Sequence, residues 1–268
     1  MPVMPHDICQ LHQGSSPLLI SMPHVGTRLP EELLASYSAV GLKVDDTDWH
    51  IAELYDFAVG LGASVIRPFH SRYVIDLNRP ADGQSLYPGQ NTTGLCPLTT
   101  FDNLPLYREG CEPDAAEIAR RLQVYWHPYH AALQAELARL KAVHGYALLW
   151  DAHSIRSVIP HLFEGELPVF NFGTASGAAC APGLGEDLLA LAQQLAPQFP
   201  AVLNGRFKGG YITRHYGQPA RQVHAVQLEL AQRSYMQEYA PYALQAALAD
   251  QLKPVLQALV TRFMAFHP

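Results

Sequence analysis

The chain has 268 residues, 49% hydrophobic and 16% charged, which suits one or two globular domains and a core that needs no covalent staples. Its net charge of −6 argues against a duplex nucleic-acid binder, which needs a basic footprint. No apolar run approaches the ~20 residues of a membrane span, so neither nucleic acid nor membrane is an expected partner.

Residues 1–16 lack the basic start and apolar stretch of a signal peptide. Cys9, Cys96, Cys111 and Cys180 are scattered and form neither a disulfide framework nor a Cys-based zinc site. A cytoplasmic location is the expectation. Thirteen histidines direct attention to imidazole chemistry.

Residues 17–22 are a short apolar run closed by Pro23 and predict a buried strand, with His24 just beyond it. Residues 46–61 predict a helix whose apolar face is Ile51, Leu54, Phe57, Ala58 and Leu61, capped by Thr47 or Asp48. Residues 63–68 and 73–77 predict two more strands. Residues 80–112, rich in Gly, Pro, Thr and Asn, predict a long loop of the kind that often serves a site. Residues 113–143 predict the longest helix, broken near Pro128.

A strand over 146–150 runs into Asp151-Ala152-His153-Ser154. Residues 167–172 and 222–230 predict strands, and 184–195 and 241–266 predict helices. Strands alternating with helices predict an α/β sandwich with a largely parallel sheet. Nothing in the composition marks a linker, so one domain over residues 1–268 is expected.

Ligands of open α/β sheets gather at the carboxyl ends of strands. His24 and His153 both fall there. Two imidazoles and one carboxylate make the set that leaves a catalytic zinc an open position. Asp45, Asp46 and Asp48 offer the carboxylate. An Asp before a helix is ordinarily a cap, but three within four residues exceed what a cap needs. Asp48, beside Trp49, is the choice and Asp46 the reserve.

Asn78-Arg79 also ends a predicted strand. A guanidinium beside a carboxamide can grip a carboxylate bidentately, with Arg72 adding positive charge nearby. The alternative is that Arg79 simply pairs with Asp76. The glycine-rich segment 205–217 offers Arg214 and His215 to a ligand, but it lacks the GxxxxGK[ST] phosphate loop. Glu229 sits among apolar residues on a strand. It is either an outward-facing carboxylate or a buried one whose pKa rises into the range of a general base. No GxSxG elbow is present, and no cysteine has a nearby partner motif.

With these residues in hand, the chain resembles the N-formylglutamate amidohydrolase (N-formylglutamate deformylase) family. The matching segments are 21–26 around His24, 46–50 around Asp48, 70–80 from His70 to Pro80, 86–90, 150–157 around His153, 205–217 and 227–230. The resemblance implies a three-layer α/β sandwich with a mixed, largely parallel sheet, similar to zinc carboxypeptidases and aspartoacylases. It also implies hydrolysis of N-formyl-L-glutamate to glutamate and formate, the last step of one histidine-degradation route.

In those relatives the first two metal ligands stand in an HxxE spacing. Here Thr27 occupies that place after His24, so the middle ligand comes from the Asp46/Asp48 segment. The expected site is one divalent metal, zinc, on His24, Asp48 and His153, with Glu229 as base and Arg72 beside the oxyanion. Asn78, Arg79 and Arg214, with Arg221 as a further candidate, look like the relatives' grip on substrate carboxylates. The expected partner is a small dicarboxylate N-formyl amino acid. Another N-acyl amino acid amidohydrolase, an exopeptidase or a non-catalytic carboxylate sensor are the alternatives.

Overall fold

The computed structural model describes residues 5–86 and 89–268; Tyr87 and Pro88, within the 86–90 segment noted above, lie outside the described residues. Among the described residues, seven strands form one sheet: β1 (Cys9–His12), β2 (Leu18–Ser21), β3 (Ser64–Pro68), β4 (Ala147–Ile155), β5 (Phe170–Gly173), β6 (Ala201–Leu203) and β7 (Val223–Ala231). Their order is β1-β3-β2-β4-β7-β5-β6. The pairs β2–β3, β2–β4, β4–β7 and β5–β6 run parallel, while β1–β3 and β5–β7 run antiparallel. The sheet is therefore mixed and largely parallel, as expected.

The central strands are apolar on both faces because both faces are covered. Leu148, Trp150 and Ala152 of β4, with Val226, Leu228 and Leu230 of β7, bury against the helices Leu184–Leu195 and Ala246–Met264. Ala147, Leu149 and Ala225 face the other way, onto Tyr129, Leu133, Leu137 and Leu140 of the helix His127–His144. Three layers result. Truncating a large core side chain such as Trp150 to Ala would cost about 3–5 kcal/mol.

Side chains alternate along a strand, so the face that carries Ala147, Leu149 and Ala225 also carries Asp151, His153, Gln227 and Glu229 further on. One sheet face thus changes from packed core to polar site along the length of β4 and β7. Strand β4 runs to Ile155 rather than ending near Trp150. Pairing with β7 continues through Asp151↔Gln227, His153↔Glu229 and Ile155↔Ala231.

Two expected elements take other forms. Residues 46–61 are not one helix: only Ile51–Leu54 is α-helical, followed by a 3₁₀ stretch Asp56–Leu61. Val44 and His50 both adopt positive φ, and His50 stands at the N-cap with no side-chain cap bond. Asp48 does not cap because its carboxylate is drawn into the interior, where it accepts from the Ser154 amide.

Residues 73–77 form turns, not a strand. Val74 N–H donates to Ser71 O, and Asp76 N–H to Leu95 O. Tyr73, Val74, Ile75 and Leu77 are all buried, so this run meets its hydrophobic demand without joining the sheet.

The 113–143 pattern divides as its proline implies. The helix Ala115–Arg121, capped by Asp114, passes through a π-helical turn Leu122–Trp126 into His127–His144. Pro128 follows directly on that π-helical turn, the kind of interruption that a residue without an N–H imposes on a continuous helix. The edge strands β1 and β6 and the helix Tyr211–Tyr216 have no counterpart in the sequence reading, being too short to show a period.

Candidate active site

The carboxyl ends of β2, β4 and β7 converge on one buried cluster. His24 lies just past β2, and its carbonyl accepts from the Asp48 amide at 3.0 Å, which ties the two segments together. His153 Nδ1 is 3.1 Å from Asp48 Oδ2, and His24 Nδ1 is 3.7 Å from the same oxygen. The two rings lie 4.8 Å apart at their centroids. Among the described residues, His24, Asp48 and His153 form the one group whose ligand atoms converge closely enough to hold a metal ion, all within 4.8 Å of one another.

A carboxylate stands behind each imidazole, hydrogen-bonded to His24 and in close ion-pair contact, without hydrogen-bond geometry, with His153. His24 Nε2 is 2.8 Å from Asp76 Oδ1, and His153 Nε2 is 3.1 Å from Asp151 Oδ1. Partners of this kind fix ring orientation and raise ligand basicity in metal sites. Asp76 is itself gripped by Arg72 at 2.6 Å, and Asp151 accepts from the Thr213 hydroxyl at 3.1 Å. Asp46, the reserve ligand, is engaged elsewhere: its Oδ2 accepts from the Phe101 amide at 2.9 Å. Burial pushes its carboxyl up to about 6.

The cluster fits a cation. Asp48 Oδ2 faces the two imidazoles, while Oδ1 is buried with no hydrogen-bond partner among the described residues, 3.9 Å from Arg72 Nη1. An orphaned buried carboxylate oxygen is costly unless something positive meets it. Burial opposes ionisation of Asp48, but the charges and hydrogen bonds of His24 and His153 outweigh it and hold its carboxyl well below the usual range. Two nitrogens and one carboxylate oxygen are the donor set of catalytic zinc sites.

Glu229 faces His153 across the β4–β7 ladder and is only 8% exposed. Burial pushes its carboxyl up to about 8, against the opposing pull of His153. The outward-facing reading of this residue is excluded. Gln227 links it to the next loop, with Nε2 3.4 Å from Glu229 Oε2 and Oε1 accepting from the Gly210 amide at 2.7 Å.

A cavity of about 60 Å³ opens onto this cluster, bounded by His24, His153 and Glu229 on the sheet side and by Arg72, Asn78 and Arg79 on the other. Arg79 does not pair with Asp76. It donates to the Thr93 carbonyl and hydroxyl at 2.9 and 3.0 Å. Asn78 stands between wall and cluster, its Oδ1 accepting from the Ile212 amide at 2.8 Å and its Nδ2 3.0 Å from His153 Nε2. That wedge requires glycine at 210, where a Cβ would lie 2.3 Å from the Asn78 amide nitrogen.

Arg214 does not line the cavity. Its Nε donates to Gly209 O at 2.7 Å from within the helix Tyr211–Tyr216. Arg221 borders a separate surface cavity with Lys141 and His215. The residue that sequence reasoning missed is Arg206, which lines the cavity from the same glycine-rich segment. Its signal was present in Gly205 and the Gly209-Gly210 pair flanking it, which permit close backbone approach.

Known proteins resemble this chain over most of its length. The family model for N-formylglutamate amidohydrolase matches residues 16–236. The chain is 55% identical over 260 residues to an N-formylglutamate deformylase of Pseudomonas aeruginosa, covering 97% of each chain. It is 52% identical over 259 residues to an N-formylglutamate deformylase of Pseudomonas putida, covering 97% of this chain and 96% of that one. Its fold is similar to a crystal structure of N-formylglutamate amidohydrolase from Ralstonia eutropha, with a TM-score of 0.79 at 23% identity over 95% of this chain and 98% of that one. The extent of the sequence match, over strands, cluster and cavity wall alike, means that the chain belongs to the N-formylglutamate amidohydrolase family.

Proposed function

We propose that this protein hydrolyses N-formyl-L-glutamate to L-glutamate and formate with the help of one divalent metal, zinc, held by His24, Asp48 and His153. The observation that carries the reading is the buried convergence of those three side chains, both imidazoles meeting at Asp48 Oδ2 while Oδ1 has no hydrogen-bond partner among the described residues, with Glu229 opposite His153 in register. The names of the close relatives support the substrate. When bound, a divalent cation supplies a water of lowered pKa, near ~7, and polarises a carbonyl oxygen.

The chain's own residues do the rest. Glu229, raised by burial into the range where a carboxyl both takes and gives a proton near neutrality, accepts a proton from the attacking water. The water oxygen bonds to the formyl carbon, and the carbon–nitrogen bond breaks as Glu229 returns the proton to the departing amine. Arg72, fixed by Asp76 at the edge of the cavity, places positive charge beside the developing oxyanion. A donor in that role is worth ~3 kcal/mol. Asn78 and Arg79 hold a substrate carboxylate, with Arg79 oriented by Thr93. The whole chain acts as one domain in a reducing cytoplasm, as the last step of a histidine-degradation route.

Formate release from N-formyl-L-glutamate, by protein dialysed against a chelator and then given back zinc, tests this reading. Turnover that vanishes and returns supports it. Turnover that survives complete metal removal overturns the metal-dependent mechanism, and an absence of turnover with any divalent metal overturns the substrate.

A further inference from the structure

A doubly anionic substrate needs two fixed cations, and a net-acidic protein must supply them locally. Arg79 is one. Arg72 lines the cavity too, but its Nη2 is committed to Asp76 at 2.6 Å, where it braces the His24 side of the metal cluster. The second cation has to come from another part of the wall.

Arg206 meets the requirement. It lines the cavity beside Phe207 and Leu162. Its Nη2 donates to the Asn91 carbonyl at 3.0 Å and its Nε to the Leu162 carbonyl at 3.1 Å, while the guanidinium lies over the Phe207 ring at 5.3 Å. These carbonyl tethers set the position of the guanidinium and leave its charge intact.

The tethers also relate the two arginines to each other. Arg79 is held by Thr93 and Arg206 by Asn91, two residues apart in one short segment whose three members, 91–93, all line the cavity. Asn91 is anchored in turn, with Nδ2 donating to the His161 carbonyl at 2.9 Å. The segment thus anchors both arginines, and Phe207 and Leu162 add apolar surface to the same cavity.

We infer that Arg206 is the specificity-determining residue that reads the side-chain carboxylate of the N-formyl amino acid, while Arg79 takes the α-carboxylate. This rests on the function proposed above. It makes the protein selective for acidic over neutral N-formyl amino acids, with segment 91–93 as the shared anchor of the two charges.

The experiment compares N-formyl-L-glutamate with N-formyl-L-glutamine, which differ only in the distal charge. Affinities are read by calorimetry on the zinc-loaded Glu229→Gln protein, so that binding is measured without turnover. Adding Arg206→Met to that protein lowers affinity for the glutamate ligand about tenfold to a hundredfold and leaves the glutamine ligand nearly unchanged. Adding Arg79→Met lowers both alike. Arg206→Lys, which keeps the charge but loses the planar fork, falls between the parent and the Met variant.

Equal losses for both ligands in the Arg206→Met protein would overturn the assignment and leave Arg206 a structural clamp. So would an inability of the Glu229→Gln parent to tell the two ligands apart, or to bind either. Formate release by the wild-type enzyme tests the proposed reaction separately, so failure of the reaction and failure of the charge reader are read from different measurements.

Discussion

The candidate metal cluster and the arginine wall that faces it are built by different means. The cluster hangs on strand ends: His153 and Glu229 are paired rungs of β4 and β7, and His24 follows β2 directly. Its members are buried, and each imidazole has a carboxylate behind it, Asp76 for His24 and Asp151 for His153. The wall is built from loops, with Asn78 and Arg79 on a turn, Asn91 and Thr93 in a long irregular segment, and Arg206 between glycines. Arg79 and Arg206 are only partly buried and are held by backbone carbonyls rather than by ladder pairing. On the proposed function, chemistry that tolerates little displacement would sit on rigid elements, and the choice of substrate on segments that can vary without unfolding the sheet.

Variants in one region should leave the other intact, and this separation is the sharpest way to break the comparison. Glu229→Gln should reduce kcat by about 10²–10⁴-fold. Zinc content, measured by elemental analysis after gel filtration, should stay at the wild-type level. Retained turnover would remove Glu229 from the role of base and the cluster from the chemistry.

A smaller effect is expected behind the metal. Asp151→Asn keeps the shape of the residue but weakens its hold on His153 Nε2, so zinc affinity should fall about 10–100-fold in competition with a chelator. The preference for N-formylglutamate over N-formylglutamine should not move. A change in that preference would show that cluster and wall are not independent.

The third prediction concerns the turn that joins the two regions. His130 Nε2–H donates to the Leu77 carbonyl at 2.9 Å, next to Asn78, and its Nδ1 accepts from the Tyr216 hydroxyl at 2.9 Å. The bond from Tyr216 needs the neutral ring, because Nδ1 must accept, whereas donation to Leu77 persists in the charged ring and favours it. Burial depresses the His130 pKa to about 3, and the nearby His127 and His215 add to the depression. The unfolded chain therefore binds a proton that the folded one refuses. This contribution is complete above pH ~6.5 and is lost as pH falls toward 3, about 2 kcal/mol of it by pH 5. The loss of urea-derived unfolding free energy between pH 7.5 and 5 should be about 2 kcal/mol larger in the wild type than in His130→Gln. Equal slopes for the two proteins would remove His130 as the brace.

The same division governs what was legible in the chain. Residues 17–22 and 222–230 are apolar runs ended by chemistry-bearing residues, and both proved to be central strands carrying the site. A run of buried residues does not distinguish a strand from a turn that buries its side chains, and so 73–77 reads as a strand while it winds around Asp76. Asp48 reads equally as a cap or a ligand in sequence. The fold removes it from the helix end by giving His50 a left-handed conformation and starting the helix at Ile51. Arg206 and Arg214 are equivalent in sequence, two arginines eight residues apart in one glycine-rich segment; the short helix Tyr211–Tyr216 carries one of them off the cavity wall and leaves the other on it.

Residue identity and hydrophobic period, both local properties, were enough to establish the α/β class, the central strands and the supply of imidazole, carboxylate and guanidinium groups. Which carboxylate meets the imidazoles, which arginine lines the cavity and which apolar run joins the sheet depend on contacts between segments far apart in the chain. His153 and Asp48 are 105 residues apart, and Arg206 and Asn91 are 115 apart. No local pattern encodes such contacts, because they follow from the packing of the sheet and its two helical layers.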